Sequence, residues 1–317
     1  MGSILTIELG RQFRRLMGRI LLRPEKKKPE KFQEWSIGIY GGSSPTSLTP
    51  LQNAINPVLT HEDVSDVRAA FVADPFMLHV DHAWYMFFEV MNKVTGKGEI
   101  GLAVSEDGRR WSYEQIVLRE PFHLSYPYVF EWERQIYMIP ETHRAKSVRL
   151  YKAVAFPKRW ELVGTLLRGE HPSDASVFFL KNMWWLFLEL AGPPLFAGHL
   201  RLFYADRLMG PWLEHPKSPI VAGDPRIARP AGRVLTFPDR AIRYTQDCYP
   251  DYGTCVRGFE ITDLTPISYA EQEIAGGPIL SGTGVGWNRC GMHHVDPHLM
   301  DDGRWIACVD GWGWRAR

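Results

Sequence analysis

The chain has 317 residues, 45% of them hydrophobic and 23% charged, with a formal net charge of +1. That balance gives a folded body with a core and excludes a disordered polyelectrolyte or a basic nucleic-acid-binding surface. Its four cysteines, Cys248, Cys255, Cys290 and Cys308, form no CxxC pair, which argues against zinc; they read as free thiols, with a Cys248–Cys255 disulfide as the alternative.

Residues 1–31 form a separate extension with nine basic and three acidic residues. Leu5, Leu9, Phe13, Leu16 and Ile20 share one helical face, arginines fill the remaining positions, and Pro24 marks the end. The spacing predicts an amphipathic basic helix, suited to an anionic membrane surface or a partner protein. Docking on the body and disorder are the other readings. The arginines make it too polar to span a bilayer and unlike a signal peptide. The expected location is cytoplasmic, peripheral on the inner face of the membrane.

From residue 32 to 317 no linker interrupts the chain, and one domain is expected. WSIGIY at 35–40 alternates as a strand, and NPVLT at 56–60 looks like another. Then a hairpin recurs five times: FVADPFMLHVDHAWYMFFEV at 71–90, LSYPYVFEWERQIYMIPE at 124–141, PSDASVFFLKNMWWLFLEL at 172–190, ARPAGRVLTFPDRAIRYTQD at 228–247 and HHVDPHLMDDGRWIACVD at 293–310. Each opens on a polar or proline-marked position and closes on an acid or amide. After the first three, an alternating strand, a Gly or Pro turn, a tryptophan (Trp111, Trp160, Trp212) and a fourth strand follow: QIVLR, GTLLR and SPIVA. Four-stranded units repeating every 48 to 64 residues predict a five-bladed β-propeller. The fifth unit lacks its outer pair, so 35–40 and 56–60 are expected to complete it and close the ring, leaving no free sheet edge.

Both ends of a hairpin lie side by side, so each repeat delivers its opening residue and its closing acid to one end of the sheet. Five sheets then gather these groups in an axial well. Asp74 is the leading catalytic candidate, with Asp174 as its third-repeat equivalent and Glu141, or alternatively Glu189, as a candidate acid. Glu89, Tyr126, Glu189, Arg229, Gln246, His294, Asp296 and Asp310 are the expected substrate-binding set. Tyr126 suits stacking on a ligand ring or packing between blades. Arg229, Arg233 and Arg243 lie in the fourth repeat, and His293 and His294 open the fifth; arginine forks match phosphate oxygens or balance the acids of the well. No metal motif or dinucleotide fingerprint is present, so no cofactor is expected, although a propeller channel leaves room for a cation.

The run Asp74-Pro75, Glu89, Tyr-Pro-Tyr and Met-Ile-Pro-Glu-Thr within 126–142, Asp174, Ala-Arg-Pro-Ala-Gly-Arg at 228–233, Gln246-Asp247 and His294-Val295-Asp296 resembles the N-terminal domain of glucosamine inositolphosphorylceramide transferases, over about residues 35–312. More distantly, the repeats resemble five-bladed arabinanase- and invertase-type glycoside hydrolases. The resemblance implies a glycan-active protein. In those hydrolases a first-blade Asp is base or nucleophile and a third-blade Asp supports it, roles that Asp74 and Asp174 match. The fourth-blade acid is replaced here by Arg229-Pro230, which favours a phosphate-bearing donor over simple hydrolysis. The leading expectation is therefore a glycosyltransferase-like protein of polysaccharide or glycolipid assembly that takes a carbohydrate or sugar-phosphate ligand, with Arg229 and His294 on the phosphate. The alternatives are an arabinanase-type glycoside hydrolase and a non-catalytic carbohydrate- or protein-binding propeller.

Overall fold

In a computed structural model, residues 31–169, 171–192 and 197–316 are described. The expected N-terminal helix lies outside them. The strands form five antiparallel sheets, each following the repeat read from the sequence. Blade one comprises Ala69–Val80, Ala83–Asn92, Lys97–Ser105 and Ser112–Leu118. Blade two comprises Ser125–Trp132, Gln135–Glu141, Ser147–Ala155 and Arg159–Arg168. Blade three begins with Pro172–Leu180, Met183–Gly192 and Ala197–Ala205. Its outer strand is split between Leu213–Glu214 and Val221–Ala222, both paired with Ala197–Ala205. In blade four it is the first strand that is split, into Arg229–Pro230 and Leu235–Thr236, both on Ala241–Asp247; Cys255–Leu264 follows. Among the described residues, no helix is long and apolar enough to cross a membrane.

Blade five is closed by both ends of the described chain. Val295–Leu299 and Trp305–Ala316 are joined by Lys31–Ser44 and Ser47–Pro50. The expected third strand is thus present, but the fourth is Ser47–Pro50, not residues 56–60. Pro57 cannot donate to a ladder. The Asn56 side chain does so instead, accepting from Ile39 N at 2.7 Å and donating to Ile39 O at 2.9 Å, while Leu59 makes only an isolated bridge with Ile37.

The core lies between successive blades. Phe87, Tyr128, Leu150, Met138 and Leu186 pack across blades one to three, and Ile37, Met86, Phe88 and Ile306 across blades five and one. Each such side chain contributes about 1.5–3 kcal/mol when fully buried. The recurring tryptophans have a common local cause: their indole N–H folds back to a carbonyl of the preceding turn, Trp111 to Gly108, Trp160 to Pro157 and Trp212 to Leu208, at 2.9–3.1 Å. Trp160 then meets Phe87 of blade one edge to face at 5.3 Å. All four cysteines are free thiols.

A candidate active site in the axial well

Three of the expected site residues share an unusual backbone. Asp74, Tyr126 and Asp174 occupy the same place in blades one to three, with φ of 52°, 44° and 52°. Each lies where the ladder register shifts, between Ala73 and Phe76, Ser125 and Tyr128, and Ser173 and Ser176. A non-glycine residue in the left-handed region costs about 1–3 kcal/mol and clusters at functional sites, and a bulge re-aims a side chain. The amides freed by the bulges find acids on the neighbouring blade. Asp74 N donates to Asp310 Oδ2 at 3.0 Å, and Tyr126 N to Asp74 Oδ2 at 3.2 Å. Blade four uses glycine instead: Gly232, at φ 137°, bridges Val295, and a Cβ there would sit 1.8 Å from the Val295 carbonyl.

The closing acids Glu89, Glu141 and Glu189 lie beside these bulges, all buried. Gly98 and Gly198, nine residues beyond Glu89 and Glu189, leave room for their carboxylates; a Cβ would meet the Glu oxygen at 2.8 and 1.8 Å. At the centre, Arg229 Nε donates to Asp174 Oδ2 at 2.6 Å, and its other nitrogens lie 3.5 Å from Glu141 and 3.5 Å from Glu189. Gln246 Nε2 also donates to Asp174, at 2.8 Å. Asp310 holds His293 through both its backbone N–H and Nδ1, while the imidazole stacks on Trp35 at 3.8 Å.

Six carboxyl groups around one guanidinium cannot all carry full charge. Burial pushes Asp74 up to about 6; repulsion by Asp310 and Glu141 adds to this, and His293 and Arg229 oppose it. Burial, then Asp74 and Glu141, raise Glu89 well above the carboxylate range. Burial raises Glu189 and Asp174, against Arg229 in both cases. Glu141 goes the other way: against its burial, the His143 hydrogen bond and the Arg229 charge hold it near 2. Asp310 is likewise lowered by His293 despite burial. Among the described residues, Glu89 Oε1, Glu141 Oε2 and Gln246 Oε1 are buried acceptors that make no hydrogen bond, although His123 Nε2 lies 3.3 Å from the first and Arg229 3.5 Å from the second.

The other expected site residues are closed to a ligand, although Tyr126 N and His294 Nδ1 lie 3.2 and 3.9 Å from the Asp74 carboxyl. Tyr126 is fully buried; its hydroxyl accepts from Gly232 N at 2.7 Å and engages Ser176 and the Gly232 carbonyl, so it packs between blades and offers no face to a ligand. Asp296 sits deeper along the axis. It accepts from Met77 N at 2.8 Å and Arg233 Nε at 2.8 Å and pairs with His298 at 2.9 Å, with no capacity left for a sugar. His294 is sealed against Phe76 and Tyr126, and burial lowers it to about 4. Neither it nor Arg229, already shared by three acids, is open to a phosphate as the sequence led us to expect.

Sequence reading also missed three contributors. His123 and His143 come from loops with no repeat counterpart. His143 Nδ1 lies 2.7 Å from Glu141, and His123 Nε2 lies 3.3 Å from Glu89. Tyr252, 37% exposed, stands 5.4 Å over Arg229 and edge-on to His293 at 5.1 Å. It lies five residues past Asp247, within the turn joining two strands of blade four. The histidine after Glu141 in Glu-Thr-His was a local signal; Tyr252 had none.

The structure thus defines a five-bladed propeller with a carboxylate-lined axial well. Its fold matches solved glycoside hydrolases: Zg3597, a family 117 enzyme from Zobellia galactanivorans (TM-score 0.53, 14% identity, 89% of this chain and 91% of that one), and a thermostable family-43 glycoside hydrolase (TM-score 0.56, 14% identity, 83% and 92%). The family model described as "Glucosamine inositolphosphorylceramide transferase 1, N-terminal" matches residues 28–312, and the chain belongs to that family. It is 35% identical to glucosamine inositolphosphorylceramide transferase 1 of Oryza sativa subsp. japonica over 307 residues, and 33% identical to that of Arabidopsis thaliana over 296. The alignments cover 89% and 87% of this chain but only 40% and 39% of those relatives.

Proposed function

We propose that this propeller binds a carbohydrate in its axial well and acts, in the manner of a glycosyltransferase, in polysaccharide or glycolipid assembly. The observation that carries this is the set of buried acceptors that make no hydrogen bond among the described residues, Glu89 Oε1, Glu141 Oε2 and Gln246 Oε1. An unmade buried hydrogen bond is costly, and sugar hydroxyls or an amine would supply the missing donors. Asp74, at about 6, is close to the working range of a general base. It would take the proton of the acceptor hydroxyl as that oxygen bonds to the anomeric carbon and the donor's phosphate leaves with the electron pair of the broken C–O bond. Asp174, tied to Arg229 and Gln246, would hold the floor of the well. The names of the relatives support a glycolipid context, and the basic N-terminal segment would keep the protein at a membrane surface.

A thermal-shift screen of neutral sugars, amino sugars and nucleotide sugars, followed by turnover of whichever raises the melting temperature, tests this. Asp74→Asn should keep the shift and lose turnover by about 10²–10⁴-fold. Unchanged turnover would remove Asp74 from the chemistry. Hydrolysis is the second reading, favoured by Glu189, whose proton affinity burial raises against Arg229 and which could serve as an acid opposite Asp74. It predicts release of free sugar without an activated donor.

A further inference from the structure

We infer that the rim of blade two carries an anion subsite for a phosphate group of the ligand whose sugar enters the well. This deepens the functional reading above and rests on it. The well is lined by carboxyl groups, and the arginines around it are committed. Arg229 serves Asp174, Glu141 and Glu189, and Arg233 serves Asp296. Arg257 serves Asp247 and Glu273, and Arg243 serves Glu271.

Arg144, Lys146 and Arg168 are different. All three are exposed, and none has an ionic partner among the described residues. The fold brings them to one end of one blade. Arg144 and Lys146 belong to the turn that follows Glu141, where Lys146 takes a left-handed φ of 50°. Arg168 lies opposite Ser147 in the ladder, and Gly169 N donates to the Lys146 carbonyl at 3.0 Å. The same turn connects this rim to the well. His143 meets Glu141 through Nδ1 at 2.7 Å, which leaves Nε2 as the nitrogen it can offer elsewhere. The His143 ring is 6.1 Å from that of His171, which is exposed at the start of blade three.

Two guanidinium groups, an ammonium and flanking imidazoles suit the oxygens of a phosphate ester or diphosphate. A ligand with a sugar at one end and a phosphate at the other would therefore enter one way round, sugar inward and phosphate on the rim. The phosphate could come from a soluble sugar nucleotide or from a phospholipid headgroup, and the test separates these sources.

The full chain and its Arg144→Gln/Lys146→Gln/Arg168→Gln variant are titrated with inorganic pyrophosphate by calorimetry. Both are also floated with phosphatidylcholine vesicles with and without phosphatidylinositol. All three residues are exposed, and matching melting temperatures verify that the variant folds. Wild type should bind pyrophosphate more weakly as salt rises, and the variant should lose about tenfold or more in affinity, as expected for lost charge-assisted bonds. Asp74→Asn should bind pyrophosphate like wild type. A variant defect confined to phosphatidylinositol vesicles would assign the rim to a lipid headgroup. Equal behaviour of wild type and variant towards both probes, or no binding of either probe by wild type, would overturn the inference. Because pyrophosphate binding does not involve Asp74, the rim can fail while the well succeeds, and the reverse.

Discussion

Two polar clusters lie along the propeller axis, and they are built on opposite principles. The deeper one, Arg233, Asp296 and His298, is balanced. Asp296 has a donor for each oxygen, and Arg233 also donates to the Val129 carbonyl at 2.9 Å and lies 5.2 Å over the Tyr128 ring. Against burial, Arg233 and His298 hold Asp296 far below the usual carboxylate range. The upper cluster has a surplus of acids, buried acceptors that make no hydrogen bond among the described residues, and carboxyl groups whose proton affinities are pushed both ways. A balanced buried network contributes to a unique fold. An unbalanced one is held in place by the rest of the structure and is where a ligand has something to add.

The most severe way to probe this contrast is to unbalance the deep cluster. Arg233→Met strands the Asp296 charge and should cost about 3–5 kcal/mol in urea unfolding. A loss under about 1 kcal/mol would erase the distinction between the clusters. Next, Tyr126→Phe removes the hydroxyl that joins Ser176 to both backbone groups of Gly232. It should cost about 1–3 kcal/mol and leave ligand affinity unchanged, whereas a selective loss of affinity would return Tyr126 to the ligand.

The upper cluster should also mark the pH dependence of stability. The folded pKa of Asp74, about 6, is above its unfolded value near 3.8. Between those limits the folded state binds the extra proton, so this group adds stability as pH falls from 6 to 4 and removes it as pH rises. Asp74→Asn should abolish that component, read as a difference of up to about one proton in the slope of unfolding free energy against pH. An identical slope in both proteins would place Asp74 in a more polar setting. The smallest effect is expected for Glu89→Gln. Glu89 is already pushed towards its neutral form, so stability should change by no more than about 1 kcal/mol while sugar affinity falls; a large destabilisation would make Glu89 part of the scaffold.

Much of the frame was legible from the chain. The 15-residue interval from Asp74 to Glu89 recurs from Asp174 to Glu189 and fixed the meeting of opening and closing residues, while the recurrence of the whole hairpin gave the blade count. What escaped was anything without a repeat counterpart. His123, His143 and Tyr252 reach the well from loops, and loops carry no periodicity to read. The closing strand was misplaced for a related reason. Residues 56–60 have a strand-like composition, but the Asn56 side chain imitates the ladder there, and the backbone pairing is made by Ser47–Pro50.

Arg229 shows where the boundary falls. Its presence at the head of the fourth repeat, in place of an acid, was plain from the sequence and argued for a phosphate. Whether it was free to bind one depended on Asp174, Glu141 and Glu189, which lie 55, 88 and 40 residues away. The sequence by itself determined the blade count, the closing acids and the end of the sheets at which they meet, because strand alternation and hairpin pairing are local rules. Only the tertiary structure decided which charges are spent and which remain, because charge pairing is settled between blades, among residues that chain distance keeps apart.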